Sequence, residues 1–66
     1  HSVLDRDGLE ARYALTARLD PRFARDERTF WEGCAPARLE TLAAGAWTAN
    51  DSDTYQMARS YLALAA

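Results

Sequence analysis

The chain has 66 residues and carries eight Arg and no Lys against ten Asp and Glu, for a net charge of −2. That length lies near the lower limit for one self-supporting core, so residues 1–66 are read as a single helical domain. The mildly acidic balance argues against a dedicated nucleic-acid binder, whose affinity rests on neutralised phosphates.

No initiating Met is present, and His1-Ser2 is expected to be a tag remnant or a fragment boundary. Asp7 is predicted to cap the first helix, with Glu10 three residues later completing a capping box. From there to Leu19, Leu9, Tyr13 and Ala17 share one stripe and Leu15 and Leu19 lie beside it, with no Gly or Pro between. Asp20-Pro21 ends this helix and starts the second. Asp caps well, and Pro suits the first helical position, where no N–H is needed.

In the second helix Phe23, Glu27, Phe30, Trp31 and Cys34 fall near one face. Gly33 is expected to close it in a left-handed conformation. A short third helix begins at Pro36, turns Leu39, Leu42 and Ala43 inward, and stops at Gly45. Trp47, just beyond that Gly, is placed to fold back onto the helix end or a neighbour. Asn50-Asp51-Ser52-Asp53 is dense in capping residues, and the last helix runs from about Asp51 to Leu64. It carries Tyr55, Ala58, Leu62 and Ala65 on one stripe and Met57, Tyr61 and Leu64 on the next. No window alternates with period two, so the expected fold is all-α, a small compact bundle of about four short helices.

The residue types exclude much chemistry. With His1 set aside there is no imidazole to activate Cys34 or a serine, so the common nucleophile–base arrangements fall away and no enzyme is expected. Most carboxylates sit at helix starts or four residues from an Arg, as in Arg6–Glu10, Arg22–Asp26 and Arg28–Glu32, which reads as solvated pairing. One Cys and scattered acids give no metal-ligand spacing, and the Asn50–Asp53 run lacks the Gly and Glu of a calcium loop. The three glycines are isolated, so no phosphate loop forms. Neither a metal nor a cofactor is expected, and no run approaches the roughly 20 apolar residues of a membrane span. The cytoplasm is the expected compartment, and the Ala- and Arg-rich composition suggests a GC-rich bacterial genome.

What remains is contact. Seven aromatic residues are more than a core of this size holds at native density. Phe30 and Trp31 are adjacent, about 100° apart on a helix, so they cannot share one narrow stripe. The leading expectation is a non-catalytic protein-binding module, acting as a regulator, anti-activator or adaptor. Its partner surface is expected at Trp31, Trp47 and Phe30, rimmed by Arg18, Arg22 and Arg25. A DNA-associated, degenerate helix-turn-helix is the alternative, with Arg38 and Thr41 as its only polar readers. A homodimer through the apolar C-terminal helix, or a structural fragment of a larger protein, is the third reading.

Overall fold

A computed structural model describes residues 3–66, so His1-Ser2 and the expectation attached to them lie outside the described residues. Four helices follow in order: α1 Arg6–Leu19, α2 Pro21–Glu32, α3 Pro36–Ala49 and α4 Ser52–Ala65. No strand occurs among the described residues, and the fold is an all-α bundle. None of the described helices is long and apolar enough to cross a membrane.

The helix starts are set by side chains that satisfy the first free N–H groups. Asp5, not Asp7, caps α1: its Oδ1 accepts from Gly8 N–H at 2.7 Å. Asp7 lies in the first turn instead, where its charge meets the positive end of the helix dipole. Asp20 caps α2 by accepting from Phe23 N–H at 3.1 Å, with Pro21 next in line. Asp51 caps α4 through Thr54 N–H at 3.1 Å. Hydrogen bonding from Thr54, side chain before backbone, holds the Asp51 carboxyl below its usual range.

The helix ends depart from the sequence expectation in two places. Gly33 closes α2 with φ −86°, in the right-handed region, its N–H donating to Thr29 O at 3.1 Å. The third helix is not short. It runs straight through Gly45 to Ala49, and the left-handed cap is Asn50 at φ 61°. The apolar run Ala43–Ala49 keeps the hydrogen-bond ladder going, and one glycine costs only about 1 kcal/mol against it.

α1 packs on α2, α3 packs on α4, and α2 joins the two hairpins by lying against α4. Leu9 and Tyr13 of α1, Trp31 of α2, Leu39 and Ala43 of α3, and Met57 and Ala58 of α4 form one buried cluster. Ser60 is wholly buried and ties the chain's start to α4. Its Oγ accepts from Leu4 N–H at 2.8 Å and donates to Gln56 O at 2.7 Å. Tyr61, Leu62 and Leu64 are half-buried against this cluster. Within the apolar C-terminal run these three side chains are turned toward the bundle, and Ala63, Ala65 and Ala66 are exposed.

Candidate functional site

The expected partner surface divides into three places. Trp31 belongs to none of them. It is 6% exposed, its ring lies nearly parallel to Tyr61 at 6.2 Å, and Phe30 meets it edge-on at 5.2 Å. Its role as a surface anchor is corrected: helix α2 turns Trp31 and Ala24, seven residues apart, inward and leaves Phe23 and Phe30 outside. The single α2 face expected from Phe23 to Cys34 does not form.

Phe30 occupies the first place, with the Arg38 guanidinium 6.0 Å from its ring centre. That contact joins α2 to the start of α3. It also engages Arg38, one of the two readers on which the helix-turn-helix reading depended.

Trp47 occupies the second. It projects from the last turn of α3, 67% exposed, and of the two expected packings it takes the one against a neighbour, Tyr55 of α4. The turn that follows is pinned by Asn50 N–H to Trp47 O at 3.2 Å and Asp51 N–H to Ala46 O at 2.9 Å. This sharp reversal brings Tyr55 of α4 to 5.2 Å from the Trp47 ring, tilted by 52°. A cleft of about 130 Å³ opens beside the pair, lined by Ala46, Asn50, Asp51 and Ser52 as well as the two rings. A shallower groove on the other flank carries Thr48, Glu40 and Arg59, the last two 3.9 Å apart. An exposed ring, a concavity and a polar rim are thus gathered at one turn.

Arg18, Arg22 and Arg25 form the third, around the α1–α2 corner. Among the described residues no carboxylate comes within 4.0 Å of Arg18 or Arg22, and Arg25 meets Asp26 at 3.6 Å. The neighbouring arginines differ. Arg12 forks onto Asp53 with two 2.8 Å hydrogen bonds and approaches Glu27 at 3.4 Å. Burial alone would lower its pKa, but Asp53 and Glu27 outweigh that and raise it. Arg28 bonds Glu10 and Glu32, which raises its pKa, and lies over Tyr13 at 5.2 Å. The expected Arg28–Glu32 pair is present, whereas Glu10 reaches across to Arg28 instead of Arg6, and Asp26 takes Arg25 instead of Arg22.

Two features went unassigned in the sequence. Tyr55, on the first stripe of the last helix, is half-buried against the core and also forms one wall of the Trp47 cleft. Leu15 and Leu19 were set beside the Tyr13 stripe, yet they stand outward, with Phe23 close behind in sequence. The signal was available: Leu15 follows Tyr13 by two residues, about 200° around the helix.

The Tyr13 and Tyr61 hydroxyls lie 2.6 Å apart. Burial first, and the field of nearby Glu residues, push both phenols above their usual pKa. Both stay neutral near pH 7, so the pair serves as a hydrogen bond. No three Cys, Asp or Glu side chains converge among the described residues. Compared with known proteins, the chain matches no family model, no curated protein and no solved structure.

Proposed function

We propose that the chain is a non-catalytic module that binds another protein, serving as a regulator, anti-activator or adaptor, with Trp47 as its anchor. The observation that carries this is the two-thirds exposed Trp47 ring against Tyr55, beside a polar-rimmed cleft. Tryptophan and tyrosine at the edge of a small concavity are the side chains that dominate binding energy when a partner excludes water around them. A tryptophan left in water has the most to gain from being covered. A bacterial, cytoplasmic setting goes with this reading.

Affinity capture from the native cell extract, with and without nuclease, tests it. A near-stoichiometric protein should survive nuclease and be lost with Trp47→Ala. That loss corresponds to about 2 kcal/mol or more, roughly thirtyfold in affinity, at a hot spot. Recovery that vanishes with nuclease would transfer the chain to the DNA-associated reading. Unchanged capture by Trp47→Ala would remove the anchor.

A further inference from the structure

A second surface stands apart from the Trp47 cleft. Of the six large apolar residues left exposed, three lie within nine residues of sequence around the α1–α2 corner: Leu15 at 63%, Leu19 at 91% and Phe23 at 54%. Leu15, Arg18 and Leu19 sit three and four residues apart, so they share the outer face of α1. The one-residue connection at Asp20 then places Arg22 and Phe23 in the first turn of α2. Exposed apolar and cationic side chains therefore follow one another through the corner, from Leu15 to Phe23.

Two of the charges there are unmatched, while Arg25 meets Asp26 at 3.6 Å. Arg18 and Arg22 meet no carboxylate among the described residues, and the Asp20 carboxylate between them accepts from Phe23 N–H as the cap of α2. This happens in a chain of net charge −2, where Arg12, Arg28 and Arg59 all pair with acids of other helices. We infer that the α1–α2 corner is a docking surface for an acidic amphipathic segment of a partner protein, its apolar side chains on Leu15, Leu19 and Phe23 and its carboxylates on Arg18 and Arg22.

Three arguments select that occupant. Arginine forks recognise carboxylates and phosphates alike. A phosphate backbone, however, gives two exposed leucines nothing to bury against, and a single aromatic ring is a poor stacking platform for bases. An anionic lipid surface calls for clusters of four or more cations, and a chain of net charge −2 is repelled by it as a whole. An acidic helix supplies both chemistries at matching spacing, because its own side chains at i, i+3 and i+4 share a face.

The test uses a synthetic amphipathic helix with Leu and Phe on one face and Glu flanking them, and its twin with every Glu replaced by Lys. Binding is followed by fluorescence anisotropy and by amide chemical shifts of the labelled domain. The acidic peptide should shift amides of residues 15–25, weaken as salt rises, and leave the Trp47–Tyr55 region unmoved. The Lys twin should not bind. The double variant Arg18→Glu/Arg22→Glu should weaken binding at least about tenfold, since like charges then face each other. Leu19→Ser should weaken it independently, and each side chain is exposed, so the variants keep wild-type helicity. Trp47→Ala should bind the acidic peptide as the wild type does, which separates failure of this surface from failure of the anchor. Equal binding by the double variant, shifts centred elsewhere, or equal competition by phosphatidylserine vesicles or short duplex DNA would overturn the inference. So would concentration-dependent self-association abolished by Leu19→Ser, which would give the corner to a second copy.

Discussion

Between α1 and α2 the bridging side chains are long. Arg12 reaches Glu27, Arg28 reaches Glu10, and Arg28 lies over the Tyr13 ring. In the α3–α4 hairpin Ala43 and Ala46 on one helix and Ala58 on the other are buried beside Leu39 and Met57, while the long bridges, Arg59 to Glu40 and Trp47 to Tyr55, join exposed or half-buried side chains. The Trp47 and Tyr55 rings meet beside this contact, next to the turn that joins the two helices. Each hairpin also owns one tryptophan, and the two have opposite fates. Trp31 fills the junction where α2 meets α4 and stacks on Tyr61, whereas Trp47 is turned out to solvent. Burial thus separates the tryptophan that holds the fold from the one left exposed.

The largest way to break this contrast is Trp31→Ala. Removing a buried tryptophan costs about 3–5 kcal/mol. A domain of this length has a total stability on the order of 3–10 kcal/mol. The variant should therefore be largely unfolded, with circular dichroism and denaturant titration as the readouts. Trp47→Ala, at an exposed position, should shift stability by about 1 kcal/mol or less. Comparable losses for the two variants would dissolve the division between core and surface tryptophan.

That division shows how far the sequence could be read. The helix starts were legible because Asp20-Pro21, Pro36 and Asp51 are local signals, and capping is decided within four residues. The passage of α3 through Gly45 was not, because a mid-helix glycine and a terminal one look alike until the φ of Asn50 is known. The 100° separation of Phe30 and Trp31 told that one ring must leave the main stripe. Which one leaves depends on Tyr61, thirty residues away, and only tertiary packing settles that. The candidate site was legible as a set of residue types and not as a place. Trp47, Phe30 and the Arg18–Arg25 group are real surface residues, but they sit at three separate positions on the bundle.

A smaller effect sharpens the contrast between the hairpins. Ala58 is fully buried, so Ala58→Leu inserts a branched side chain where the α3–α4 contact has no space. Overpacking of that kind costs about 1–3 kcal/mol. Ala11→Leu, on the exposed outer face of α1, should be within about 0.5 kcal/mol of wild type, since surface changes on a helix rarely cost more. Denaturant midpoints of the two variants give the comparison directly, and equal destabilisation would mean that the second hairpin is no tighter than the first.

The smallest effect joins the two hairpins through their hydroxyls. Tyr61→Phe leaves the Tyr13 hydroxyl buried without its 2.6 Å partner, a loss of about 1 kcal/mol near neutral pH. The same pair sets an alkaline limit. Both phenols are raised in the fold, by burial first, so the folded chain keeps protons that the unfolded chain sheds above about pH 10. The unfolded state then binds fewer protons, and stability must fall as pH rises past that point. Their contribution is fully present below about pH 10 and is lost progressively above it. In Tyr61→Phe one of the two groups no longer titrates, so the alkaline fall in stability should be shallower although its starting value is lower. Thermal midpoints between about pH 8 and about pH 12, two units either side of the ordinary phenol value, check this. Parallel alkaline limbs in the two proteins would show that Tyr61 ionises as freely in the fold as outside it, and that the stack on Trp31 is not what keeps it dry.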